Sequence, residues 1–276
     1  MPKKLTKAQI EQFHRDGFCF PIDVLSREQA LECRHKLEDI EQRYPEEINA
    51  TSRNNPHYVL PFLDELVHND VILDAAEDLV GPDMLAWSTV LFIKEPYDPA
   101  FVSWHQDATY WGIEPHEGVS AWVALTPSTL QNGCMRMVPG SHRAPVRPHK
   151  DTFGDHNILT RGQAIEDIDE SATIPVELQP GQMSLHHVRT IHGSLPNQSD
   201  ERRIGFVIQA YIPPHARQTK GTDTAMLVRG RDSYGHFRLA KRPQRDMEPE
   251  ARALRQQLNK RFAEILYDGA TQRREY

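Results

Sequence analysis

Ser103-Trp104-His105-Gln106-Asp107-Ala108-Thr109-Tyr110-Trp111 is the stretch on which the reading of this chain turns. An extended strand over 102–107 is expected there, and on a strand residues two apart share a face. His105 and Asp107 would then present an imidazole and a carboxylate side by side. Such a pair provides two ligands of a facial metal triad, and the third must arrive from another part of the chain. Downstream, Leu185-His186-His187-Val188-Arg189-Thr190-Ile191-His192-Gly193-Ser194 offers three histidines, with Arg202 and Arg203 about ten residues further on. Two histidines and one carboxylate with open coordination positions are the ligand set of non-haem Fe(II) oxygenases.

The surroundings of this stretch are β-rich. Short runs at 85–94, 102–107, 119–126, 135–139, 172–178, 183–187, 191–194 and 203–212 alternate with turn residues, a spacing that suggests a closed or double-sheet β architecture. A polar insertion over 141–169 interrupts them and reads as a lid or surface loop. The first eighty residues read as helical. Thr6 with Gln9 and Ser26 with Gln29 are capping-box pairs, and a third helix is expected from 61 to 80, stopped by Gly81-Pro82. The tail returns to helical periodicity through Leu254, Leu258, Phe262, Ile265 and Leu266. One domain over 1–276 is expected: a helical flank at 1–83, a β core at 84–213, and a C-terminal helix at 247–267.

Composition narrows the partners. The 276 residues are enough to bury a sizeable core, and 38% hydrophobic with 26% charged is ordinary for a globular chain. A net charge of -7 argues against binding a nucleic-acid backbone. The three cysteines, Cys19, Cys33 and Cys134, make no disulfide framework. No apolar leader follows Met1-Pro2-Lys3-Lys4, and no run approaches the length of a membrane span. The expectation is a cytoplasmic monomer or small homo-oligomer with a small-molecule substrate and neither nucleic acid nor membrane as partner.

Four blocks in order resemble the phytanoyl-CoA dioxygenase family of Fe(II)/2-oxoglutarate oxygenases. They are Trp104-His105-Gln106-Asp107; Ala121-Trp122-Val123-Ala124-Leu125; Asn132-Gly133-Cys134 with Val138-Pro139-Gly140-Ser141-His142; and Ile191-His192-Gly193-Ser194 with the following Arg pair. The resemblance implies a mainly β fold with flanking helices, built on a double-stranded β-helix of the jelly-roll, cupin-like kind. It implies a metal site of His105, Asp107 and His192, with Fe(II), 2-oxoglutarate and O2 as cofactor and cosubstrates. It also implies an Arg some ten residues past the distal His, whose fork holds the 5-carboxylate of 2-oxoglutarate in a way Lys does not. Arg203 is preferred over Arg202, with Gly205 and Val207 on its face of the strand. Ser194 would share that carboxylate, and Trp122 and Lys94 resemble positions near the cosubstrate. Because Asp107 is present rather than a small residue, hydroxylation of a C–H bond, with release of succinate and CO2, is implied over halogenation.

Several residues stay open at this level. His187 reads as a core or supporting residue, and His186 as equally exposed or functional. Tyr110 and Trp111 are equally a substrate wall or core aromatics. Arg136, Arg189 and Lys94 could clamp an anionic substrate. His142, His149 and His156 read as surface residues, Asn132-Gly133-Cys134 as a turn, and the basic run from Arg252 to Arg274 as a solvated helix face. The competing functions are a cupin-type metalloenzyme that makes no use of 2-oxoglutarate, and a non-catalytic jelly-roll binding protein.

Overall fold

The computed structural model describes residues 2–49 and 52–273. Its chain opens with α1 (Lys7–Asp16), whose Thr6–Gln9 capping box forms and which Gly17 closes. The expected helical flank is then broken by a strand, Phe18–Asp23, antiparallel to Gln182–His187. Phe18 and Cys19 are fully buried there, so tertiary pairing overrides a neighbourhood that reads as helical. Next comes α2 (Arg27–Arg43), with the Ser26–Gln29 box. The third expected helix is two: α3 (Pro61–Val67) and α4 (Asp70–Val80), because Asn69 turns its side chain onto the amides of Val71 and Ile72 and starts a new helix.

Two sheets carry the jelly roll, antiparallel except where 238–239 pairs in parallel with 224–229. The large one runs 18–23, 182–187, 119–124, 203–212, 84–86, 224–229 and 238–239, with Thr89–Lys94 also pairing onto Arg203–Ile212. The small one runs 174–176, 135–137, 192–194 and 102–105. The strands at 224–229 and 238–239 have no counterpart among the runs expected from sequence, and the expected 85–94 run breaks into 84–86 and 89–94. The long strand Arg203–Ile212 matches its expected bounds.

Strand alternation sorts the large sheet into two faces. Ile204, Phe206 and Ile208, with Ala121, Val123, Met183 and Leu185, pack against Leu37, Ile40, Leu63, Leu66, Ile72 and Ala76 of the helices. Burial of that face is the main favourable contribution to holding the helical flank on the barrel. Trp122, Ala124 and Val207 point the other way, into the space between the sheets, beside Met135 and Met137 of the small sheet. That inner space is the site.

After the short helix α5 (Ala108–Trp111), the C-terminal α6 (Pro249–Leu266) lies across the open end. Its basic run is only partly a solvated face. Arg255 is buried, donating to the carbonyls of Glu47, Ser52 and Asn54. Arg274, the last residue of that run, lies outside the described residues. Among the described residues no helix is long and apolar enough to cross a membrane.

Candidate metal centre

His105 ends its strand, Val102–His105, and is the register partner of His192 on the neighbouring strand. The two rings stand 4.1 Å apart between centroids. Asp107 arrives differently from the expected strand alternation. Its backbone is right-handed helical (φ -55, ψ -44) and it caps α5, so a strand-to-helix turn swings its carboxylate back toward the histidines. Its Oδ1 lies 3.3 Å from His105 Nε2 and 3.9 Å from His192 Nε2. The three ligand atoms all fall within 4.8 Å of one another.

Each imidazole is oriented from behind. His105 Nδ1 lies 2.9 Å from the Ser103 carbonyl and His192 Nδ1 3.0 Å from that of Thr190. A carbonyl accepts only from N–H, so Nδ1 carries a proton in both rings, and it is Nε2 that each ring turns toward Asp107. Burial, with His105 adding to it, pushes the His192 pKa down to about 3, so the ring is neutral at pH 7. Burial works against ionising Asp107, yet the neighbouring His192, His105 and His186 outweigh it and hold the carboxyl below its usual range. A neutral His192 and an ionised Asp107 are the ligand states a divalent cation takes.

The other carboxylate oxygen is also held. Ser120 Oγ lies 3.2 Å from Asp107 Oδ2 and His186 Nε2 lies 3.5 Å from it. His186 is buried, and it faces the site because it is the register partner of Ser120. His187 points away, packing beside Phe13 and His142 while its Nδ1 accepts from the Arg189 amide. Neither histidine of the 142/149 pair sits on the surface as expected. His142 is buried, and His149 Nε2 accepts the Gln106 amide at 2.9 Å, bracing the metal segment. His156 is exposed.

On the inner face of the long strand, Arg203 is 1% exposed, and burial pushes its pKa down to about 10. Its Nη1 donates to the Gly133 carbonyl at 2.6 Å, its guanidinium stands 5.5 Å from the Trp122 ring centroid, and its Nε has no partner. The Asn132-Gly133-Cys134 turn therefore does more than reverse the chain. Gly133 holds φ +72, and a Cβ there would meet the Leu195 carbonyl at 2.2 Å. Gly205 is demanded by Trp122, since a Cβ would come within 2.0 Å of the indole. Lys94, register partner of Arg203, is fully buried and donates to Ser194 Oγ at 2.8 Å and to the Leu195 carbonyl. Burial first, then Arg203, lower its pKa to about 6. Lys94 is not a wall of the cavity; it acts on the cavity through Ser194. Arg202, on the opposite face, forms surface ion pairs with Glu41 and Glu95.

A cavity of about 320 Å³ joins these groups, lined among others by the triad, Trp122, Ser194 and Arg203. Tyr110 and Trp111 both line it, and Trp111 also packs 5.1 Å from Trp87, so it serves core and wall at once. Arg136 and Arg189 do not reach it. Arg136 is taken up by Glu170, and Arg189 borders the segment behind the triad, its carbonyl accepting from Gln106 Nε2. The far wall comes from the insertion and from α6, clasped by Arg161, which donates to Asp151 and to the carbonyls of Leu266 and Asp268. Sequence reasoning missed Gln209, Phe262 and Arg161. The alternation that places Arg203 and Val207 inward reaches Gln209, but nothing local marks α6 as a cavity wall.

A jelly roll with a 2-His-1-carboxylate cluster at one end and a buried Arg behind it defines the class of non-haem iron oxygenases. A model of the phytanoyl-CoA dioxygenase family (PhyH) matches residues 13–205, and the chain belongs to that family. Iron(II) and 2-oxoglutarate are the cofactors that this family and this triad define. The chain is 31% identical over 192 residues to a probable alpha-ketoglutarate-dependent hypophosphite dioxygenase of Stutzerimonas stutzeri, covering 65% of this chain and 64% of that protein. It thus spans just under two thirds of that relative. It is 26% identical over 224 residues to the ectoine dioxygenase of Halomonas elongata, covering 72% and 68% respectively. Among solved structures, the non-heme monooxygenase ThoJ without metal superimposes with a TM-score of 0.83 at 36% identity, covering 94% of this chain and 97% of that one.

Proposed function

We propose that the protein is an Fe(II)- and 2-oxoglutarate-dependent dioxygenase that hydroxylates a C–H bond of a small molecule, with release of succinate and CO2, in a single domain. The observation that supports this most strongly is the pairing of the His105, Asp107 and His192 triad with a buried, incompletely partnered guanidinium in the same cavity. His105, Asp107 and His192 would hold the metal. Bound iron supplies the activation of dioxygen, driven by oxidative decarboxylation of 2-oxoglutarate.

The rest of the work belongs to the chain. Arg203, with Ser194 held by Lys94, receives the far carboxylate and aligns the cosubstrate along Trp122. Ser120 and His186 hold the outer Asp107 oxygen, which keeps the carboxylate from rotating onto a second coordination position. Tyr110, Phe262, Leu266 and Ile158 keep water from the remaining space. Asp107 favours hydroxylation over halogenation, because its oxygen fills the position a halide would need.

Succinate release on mixing anaerobic, iron-loaded protein and 2-oxoglutarate with oxygen tests this reading. Succinate that depends on iron and vanishes in Asp107→Ala and His192→Ala is the expected result. Turnover surviving either change would overturn it.

A further inference from the structure

The segment 52–54 runs along the edge of the Thr89–Lys94 strand and brings a second guanidinium to the cavity. Asn54 bridges to Val90, and the Arg53 carbonyl accepts the Leu91 amide at 3.1 Å. Level with Leu91, this backbone stands three residues, or about 10 Å of strand, from the pairing of Lys94 with Arg203. The half-buried Arg53 side chain lies over Phe92, 5.5 Å from the ring centroid. Its Nη2 donates to the Ile158 carbonyl at 2.9 Å, so the guanidinium stands against the insertion wall. Arg203 is held elsewhere, at Gly133 and Trp122. Two cations thus line one cavity, each at its own place.

Charge decides what the second cation can take. Among the described lining residues the only carboxylate is Asp107. With the metal centre loaded, Fe(II), doubly charged 2-oxoglutarate, Asp107 and Arg203 cancel one another. Arg53 then leaves the cavity one positive charge, on a wall that a cosubstrate stretched from the triad to Arg203 leaves to the molecule being oxidised. The Ile158 carbonyl is a dipole and does not cancel that charge. In a space shielded from water an opposite charge is worth more than in solvent, and the guanidinium fork matches a carboxylate. The neighbouring wall, Tyr110, Phe262 and Leu266, suits an apolar body. A volume near 320 Å³, shared with the cosubstrate, limits the occupant to a small molecule.

We infer that Arg53 is a specificity-determining residue, and that it pairs with the carboxylate of a small organic acid whose apolar body lies against Tyr110, Phe262 and Leu266. The inference rests on the metal-centre reading above for the place of the cosubstrate. Such an acid brings the loaded cavity to neutrality, whereas the corresponding amide leaves the charge of Arg53 unanswered and a cation would add to it.

Phenylacetate with phenylacetamide, and 3-phenylpropanoate with 3-phenylpropanamide, provide the test, since each pair differs in charge and hardly in shape. Each is titrated calorimetrically into anaerobic protein carrying Fe(II) and saturating 2-oxoglutarate, with the visible band of that complex followed in the same samples. The expected result is at least tenfold tighter binding of the acid in one pair or both, reduced to within about twofold in Arg53→Met. Arg53→Met keeps the packing on Phe92. Arg53→Gln, which can still donate to Ile158, should lose the preference likewise and decides the matter if Arg53→Met fails to fold. Equal binding of acid and amide in both pairs, no binding of any acid, or a preference surviving in either variant would overturn the assignment. So would loss of the band on adding the acid, which would place the acid at Arg203 in the cosubstrate's stead. Absence of the band before any probe is added would refute the metal-centre reading instead. The response of the acid preference to Arg53→Met would still decide the role of Arg53.

Discussion

Replacing Arg203 by Leu separates binding from stability in a way that few substitutions at a buried site can. In the ligand-free protein this guanidinium is held by a single hydrogen bond to the Gly133 carbonyl, has an unpartnered Nε, and is destabilised as a cation by burial. Its loss therefore removes a group that contributes little net stability, and the shorter, apolar Leu leaves no buried charge beside Trp122. Binding of 2-oxoglutarate should suffer heavily. Two charge-assisted bonds to a carboxylate are worth roughly 1.5–3 kcal/mol each, so even the lower bound of about 3 kcal/mol raises the dissociation constant about 150-fold. Calorimetric titration of 2-oxoglutarate into iron-loaded, anaerobic protein measures the first effect, and denaturant unfolding of metal-free protein the second. The Arg202→Leu protein is the control, because its side chain pairs with Glu41 and Glu95 at the surface and should leave the affinity within twofold. An Arg203→Leu protein that binds 2-oxoglutarate within threefold of the parent would refute the anchor and favour a cupin that uses its metal without that cosubstrate.

Three further outcomes follow from the geometry. Gly205→Ala places a Cβ about where the Trp122 indole lies, and should cost roughly 1–3 kcal/mol in unfolding free energy with weakened 2-oxoglutarate binding; full stability would show that the indole can move aside. Burial pushes the His57 pKa down to about 3 in the folded protein, against about 6.5 unfolded. The unfolded chain thus binds the extra proton below pH 6.5, so the stability from this residue is complete above that pH and falls toward pH 3, reaching about 2 kcal/mol of loss at pH 5. Denaturant midpoints at pH 7.5 and 5, compared with those of His57→Asn, measure it; equal pH dependence in both proteins would contradict the assignment. Arg161→Leu unties the insertion from the end of α6 and should speed amide exchange in 150–165 and 262–268 severalfold; unchanged exchange would mean that the wall is held by other contacts.

Much of this architecture is legible in the chain before any coordinates. The strands at 119–124 and 203–212 carry strong local patterns because both of their faces are buried, and the capping boxes at Thr6 and Ser26 are local chemistry. What the sequence hides is tertiary. The strand Phe18–Asp23 exists because Gln182–His187 offers an edge to it. Asp107 reaches His105 through a helical turn that no alternation rule describes. His186 faces the metal centre, and His187 does not, because of a register with Ser120 that only the assembled sheet sets. Arg255 appears solvated in a basic helix, yet its partners lie two hundred residues earlier at Glu47, Ser52 and Asn54. Gln209 falls on the expected inward row and lines the cavity, but the bulge beside it is set by the assembled sheet.

The most direct measurement is an anaerobic titration of the metal-free protein with Fe(II) and then 2-oxoglutarate, followed by visible absorption. Stoichiometric iron and a charge-transfer band that appears only when both are present are predicted, with the band absent from Asp107→Ala and requiring far more 2-oxoglutarate in Arg203→Leu. Iron bound at His105, Asp107 and His192 with no band at any 2-oxoglutarate concentration would contradict the proposed chemistry.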